Sequence, residues 1–233
     1  MTTFADLVDR ARELATGGAR ALLGITGAPG AGKSTLAEEL LAALGPTPPP
    51  GLPAGDWVAH VPMDGFHLAD VELDRLHRRS RKGAPDTFDA LGYAAMLRRL
   101  RDDADDIVYA PGFERVLEQP IAAAIPVPRA ARLVISEGNY LLLDQPPWAG
   151  IRDLFDEVWY VDLDPQERLR RLIRRHIRFG KQPDAAQAWA TGTDERNAAL
   201  IATTRERASR VIPSDLIERL GTAPSRPLPG SGD

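Results

Sequence analysis

The 233-residue sequence contains no cysteine. That excludes a disulfide framework, a thiol nucleophile and Cys-ligated zinc or iron–sulfur centres. Histidine is scarce too: His60, His67, His77 and His176 are the four present, and none belongs to an H-E-x-x-H zinc pattern. No apolar run approaches the roughly 18 residues a membrane span requires. Asp6 and Asp9 interrupt the N-terminus where a secretory signal would carry its apolar core. A formal net charge of -4 with 27% charged residues argues against disorder and against a bulk nucleic-acid binder. What is present is 43% hydrophobic residues, enough for one well-packed domain. The expectation is a soluble, cytoplasmic protein with neither membrane nor nucleic acid as partner.

The pattern along the chain alternates strands with helices. Phe4, Leu7, Val8, Ala11, Leu14 and Ala15 fall at helical spacing over residues 3–16. This amphipathic helix suits a homodimer contact as readily as the chain's own core. Residues 21–26 read as a buried strand, and a helix from Ser34 to Leu44 stops at Gly45-Pro46. A Pro/Gly-rich loop over 46–55 leads to a second strand, Trp57 to Met63. Leu68 to Gly83 reads as helix then loop, Ala90 to Arg101 as helix, and Ile107 to Tyr109 as at most a short strand. Further strands are expected at 132–136, 157–163 and 210–213. Asp164-Pro165 opens a helix to about Arg178, and another runs from Asp194 to Ala208. From Thr222 onward Pro, Gly and Ser predict a disordered tail. Together these predict one α/β domain over residues 1–221: a doubly wound, mostly parallel, five-stranded sheet with helices on both faces.

One motif dominates. Gly27-Ala28-Pro29-Gly30-Ala31-Gly32-Lys33-Ser34-Thr35 matches G-x-x-x-x-G-K-[ST], after a buried strand and at the start of a helix. Small residues let backbone N–H groups curl around a phosphate, and the helix N-terminus faces it with a positive dipole. Lys33 supplies a compact charge for the β- and γ-phosphates, and the Ser34 hydroxyl can ligand Mg²⁺. Lys33, Lys82 and Lys181 are the three lysines among 29 basic residues, so lysine stands where the loop needs it in a chain that otherwise uses arginine. The pattern predicts nucleoside triphosphate binding. No lysine is followed two residues later by Asp, which disfavours a guanine-reading motif, and no Ser-Gly-Gly-Gln transporter signature occurs.

Val61-Pro62-Met63-Asp64-Gly65-Phe66-His67 follows the second strand. A carboxylate on the rim of such a sheet can take a proton from an attacking hydroxyl; on position alone Asp64 reads equally as a turn former. Four segments then occur in order: GAPGAGKST, MDGFH, Arg81-Lys82-Gly83-Ala84-Pro85-Asp86-Thr87-Phe88-Asp89, and Glu137-Gly138-Asn139-Tyr140-Leu141-Leu142. Together, over about residues 20–213, they resemble the phosphoribulokinase/uridine kinase family of P-loop kinases. That resemblance implies ATP and Mg²⁺ as cofactors and a small-molecule hydroxyl acceptor. It implies Asp64 as general base, Glu137 with Ser34 at magnesium, and an acceptor pocket including His67, Phe113 and Arg115. Uridine kinases tend to carry a Tyr-Asp-Phe cluster and a following His near that last stretch. This chain has Gly112 and Arg115 instead, which suits a carboxylate or phosphate on the acceptor.

Arg171, Arg174, Arg175 and Arg178 form one stripe of the helix after Asp164. Four like charges on a stripe repel unless an anion lies among them; the plain alternative is a solvated face. The resemblance implies a lid over about 165–190, with Arg175 and Arg178 best matched to its catalytic arginines and Gly180 as a hinge. His176 falls with Leu169, Leu172, Ile173 and Ile177 on the apolar face and reads as a core or boundary residue. The resulting expectation is an ATP-dependent small-metabolite kinase; a regulatory ATPase without an acceptor is the alternative.

Overall fold

Strand β1 (Ala21–Thr26) is buried along its whole length, so its side chains must be apolar or small on both faces. Leu22 points into one core cluster, and Leu23 and Ile25 point into another. The computed structural model describes residues 2–222, and in chain order it adds these elements to β1. Helix α1 (Phe4–Leu14) precedes it, and α2 (Lys33–Leu44) follows. Then come β2 (Val58–His60), α3 (Asp70–Arg75), α4 (Ala90–Asp102), β3 (Ile107–Glu114) and β4 (Gln119–Pro128). The remainder is β5 (Leu133–Glu137), β6 (Glu157–Val161), α5 (Pro165–Arg178), α6 (Pro183–Trp189), α7 (Glu195–Ala202), β7 (Arg210–Ile212) and α8 (Ser214–Thr222).

The main sheet has the order β2-β5-β1-β6-β7, every neighbouring pair parallel. Its two faces carry the two core clusters. One takes Leu22, Val134, Val158 and Tyr160 against Tyr93, Leu97 and Leu100 of α4 and against Tyr140 and Trp148. The other takes Leu23, Ile25, Ile135 and Trp159 against Leu7 of α1, Leu36 and Leu40 of α2, and Leu216 and Ile217 of α8. This is the doubly wound α/β arrangement expected, with helices on both faces. Its ligand-binding rim lies at the carboxyl ends of the strands.

The differences from the sequence reading have physical reasons. The second strand ends at His60, and Met63–Phe66 is a 3₁₀ turn that carries Asp64. The short strand at Ile107 is the first arm of an antiparallel hairpin, β3–β4, whose second arm holds Pro120, Pro126 and Pro128. Proline argues against a central strand, but each arm of a two-stranded ribbon has an unpaired edge where a missing N–H costs nothing. Such a ribbon is marginal alone; this one is held by Val108, Ala110 and Val127, all buried in the first cluster. The helix expected from Asp194 to Ala208 is α7 alone, preceded by a π-helical turn, Ala190–Asp194, and followed by a 3₁₀ turn. Thr222 closes α8 instead of opening a tail; the rest of that expected tail lies outside the described residues.

Candidate active site

The glycine-rich loop folds between β1 and α2, with Gly27, Gly30 and Gly32 at φ of 149°, 80° and 97°. A side chain at Gly30 would have to enter Leu172 of α5, whose Cγ lies 2.6 Å from the Cβ position. Helix α5 is therefore packed directly on the loop. Arg168, buried on α5, donates to the Pro29 carbonyl at 3.4 Å and also pairs with Glu195 at the start of α7. Asp164 starts α5 by accepting from the backbone of Gln166 and Glu167, with Pro165 in the first turn.

Lys33 is 8% exposed and donates to the Ala28 carbonyl at 3.2 Å. Burial lowers its pKa to about 8, while Glu137, Asp64 and Asp194 work in the opposite direction. The register of β1 with β5 sets Ile25 beside Glu137, which brings Glu137 to the start of α2. Ser34 Oγ donates to Glu137 Oε1 at 3.0 Å. Burial and the charge of Asp64 raise the Glu137 pKa, against the pull of Lys33 and the Ser34 hydroxyl. Glu137 is 4% exposed, so it is not a solvated charge at a strand end.

Asp64 is held from two sides. His67 Nδ1 lies 2.8 Å from the Asp64 carbonyl oxygen, and its ring packs on Phe88 and Phe113. Behind the turn, a Cβ on Gly65 would meet the Pro111 carbonyl oxygen at 2.2 Å, so the hairpin lies flush against the turn. Arg115 Nη2 approaches Asp64 Oδ2 to 3.9 Å. Lys82 donates to Asp70 at 2.7 Å and lies over the Phe113 ring.

Two adjoining cavities, each about 500 Å³, occupy this rim. The first is bounded by Gly30, Gly32 and Thr35 of the loop and by Arg171, Arg174 and Arg178 of α5. The second is bounded by Asp64, His67, Phe113, Glu137, His176 and Asp194, with further residues around them. Lys33, Ser34, Arg115 and Arg175 line both. The arginine stripe therefore faces a cavity, and Arg171 is further tied to Glu167 at 2.9 Å. Of the predicted loop residues, Gly27, Ala28 and Ala31 border neither cavity; Gly27 packs against the Val161 carbonyl, and Ala28 contributes its carbonyl to Lys33.

His176 is a boundary residue, one of the two readings the sequence offered. It is half-buried, lies 2.7 Å from Asp194 Oδ2, and lines the second cavity. Asn139, from the Glu137–Leu142 segment noted above, also borders that cavity, as do Asp194, Asn197 and Trp189, which no sequence motif marks. Helical phase gave no signal for that cavity: His176 follows Arg175 by one position, about 100° round the helix, and shares its face with Leu172 and Ile173.

Comparison with known proteins places the chain among P-loop kinases. A Schizosaccharomyces pombe protein named "Putative uridine kinase" is 33% identical over 224 residues, covering 94% of this chain and 92% of its own. The chain belongs to the phosphoribulokinase/uridine kinase family of P-loop kinases. An ATP-dependent kinase-like protein of Aspergillus versicolor is 33% identical over 162 residues, covering 66% of this chain and 94% of that one. A crystal structure from Silicibacter sp., titled a "putative fructose transport system kinase", superposes with a TM-score of 0.81 at 36% identity. It covers 91% of this chain and 100% of that one. No family model matches. As a family member the protein is an ATP-dependent kinase. Among the described residues, no helix is long and apolar enough to cross a membrane.

Proposed function

We propose that this kinase transfers the γ-phosphoryl group of ATP to a hydroxyl of a small metabolite, with the triphosphate in the first cavity and the acceptor in the second. The observation that carries the reading is that the two cavities meet at Lys33, Ser34, Arg115 and Arg175, with Asp64 on the acceptor side of that junction. A switch ATPase needs no second cavity.

In this reading the loop amides and Lys33 grip the phosphates, and Asp64 takes the proton of the attacking hydroxyl. Arg175 and Arg178 face the charge that develops on the transferring group, where donors fixed in advance count most. The Ser34 hydroxyl and the Glu137 carboxylate are hard oxygen donors 3.0 Å apart, a set that fits Mg²⁺. Magnesium held there would neutralise phosphate charge. Catalysis is then positioning and electrostatics without a covalent enzyme intermediate.

ADP release from ATP, measured with and without a panel of sugars, nucleosides and pantothenate, tests the reading. Stimulation by one acceptor is expected. Turnover that no acceptor changes would instead indicate a regulatory ATPase.

A further inference from the structure

Three of the 29 basic residues are lysine, and all three line the second cavity. Lysine brings a compact point charge with three donors, where arginine brings a planar fork. Lys33 belongs to the phosphate loop. Lys82 and Lys181 border the second cavity alone, and the chemistry above uses neither. They come from different parts of the wall: Lys82 follows the 3₁₀ turn Arg79–Arg81, and Lys181 follows α5. Each ammonium lies over an aromatic ring that also borders the cavity, 5.6 Å from the Phe113 centroid for Lys82 and 4.9 Å from that of Trp189 for Lys181.

The carboxylates nearby do not cancel these two charges. Lys82, its side chain 13% exposed, donates to Asp70 Oδ1 at 2.7 Å and to the Glu118 carbonyl, which leaves one N–H of its ammonium to give. Asp70 does not border the cavity and is shared with Arg79 at 2.8 Å, so one carboxylate serves two cations. Arg79 has a second partner in Asp74, itself 61% exposed. Among the described residues Lys181 has no carboxylate partner. Of the four carboxylates that line the cavity, Glu137 engages Ser34, Asp194 engages His176, and Asp64 faces Arg115 at 3.9 Å. The fourth, Glu118, has an exposed side chain and offers Lys82 its backbone carbonyl. The remaining cations, Arg115 and Arg175, stand at the junction with the first cavity.

We propose that Lys82 and Lys181 together bind an anionic group of the acceptor, a carboxylate or a phosphate monoester, while its hydroxyl faces Asp64. The kinase then acts on an anionic hydroxy compound and discriminates against the neutral counterpart. The proposal rests on the transferase reading and names its substrate class. A ring beneath each ammonium keeps water from one side, and a charge-assisted hydrogen bond gains strength in such surroundings.

The test measures ADP release with matched acceptors: glycerol and D-glycerate, pantothenol and pantothenate, D-ribose and D-ribose 5-phosphate. The carboxylate and phosphate pairs separate the two kinds of anion. A charged member is expected to stimulate turnover, with its neutral counterpart lower in kcat/KM. Lys82→Gln and Lys181→Gln should each raise the KM of that charged acceptor about 10–100-fold, the worth of one hydrogen bond to a charged group, and leave the KM of ATP unchanged. Lys181→Arg, which keeps the charge, should retain most of the affinity. Added salt should raise the acceptor KM of the wild type more steeply than that of either Gln variant. Lys82 also braces the hairpin, so Lys181→Gln carries the test where Lys82→Gln fails to fold. Neutral members that stimulate as well as charged ones overturn the proposal and leave phosphoryl transfer standing. So does an acceptor KM that neither Gln variant changes, or one that rises together with the KM of ATP. Turnover that no acceptor changes removes both readings.

Discussion

Ser34 Oγ lies 3.0 Å from Glu137 Oε1, a contact between the start of one helix and the end of a strand 103 residues later in the chain. It sets a hydroxyl that lines both cavities beside a buried carboxylate that lines the second. Glu137→Gln keeps the shape and removes the charge. Metal affinity is expected to fall by about 10–100-fold, the range seen when groups around a metal site are altered. The measurement is activity against magnesium concentration at saturating ATP; an unchanged midpoint would remove Glu137 from the metal site.

Asp64→Asn should lower kcat by about 10²–10⁴-fold, the usual contribution of a positioned base, with nucleotide affinity nearly unchanged. Fluorescent-nucleotide titration beside steady-state rates separates the two effects.

Arg115 lines both cavities, so its alanine variant distinguishes two roles. Arg115→Ala is expected to raise the acceptor KM while ATP binding stays as it was. A fall in kcat at constant acceptor KM would show that the guanidinium serves the transferring phosphoryl group instead.

Arg175→Ala and Arg178→Ala should each reduce kcat by about 10²–10³-fold, the loss seen when one donor to a developing charge is removed. If both variants turn over at the wild-type rate, α5 is not a catalytic lid.

Lys33 gives a pH signature. Its pKa in the free protein is lowered to about 8 by burial, so above pH 8 the ammonium is progressively lost. A triphosphate favours the charged form and raises that pKa again. Nucleotide affinity should therefore fall as pH rises above 8, and binding near pH 9 should take up a proton. Calorimetry in buffers of different ionisation enthalpy reads that uptake directly; proton release or no exchange would contradict it.

How much of this was legible in the chain depends on whether the signal is local. The phosphate loop was, because its strand, glycines, lysine and helix are consecutive. The three central strands β1, β5 and β6 were, because strands buried on both faces read as short apolar runs. The β3–β4 hairpin was not, because its prolines and alanines oppose a strand until Val108 and Val127 find the core under them. Asp194 carried no motif, and the spacing of His176 placed it at the core boundary without showing that this boundary opens on a cavity.

The sequence by itself determined where the glycine-rich phosphate-loop motif lies, since its nine residues are consecutive in the chain. Which carboxylates and arginines meet across the rim was decided by the tertiary structure alone. Asp64, Arg115, Glu137, Arg175 and Asp194 lie on five separate segments. Their meeting depends on the parallel strand order and on α5 packing against Gly30, relationships between distant parts of the chain that no local pattern encodes.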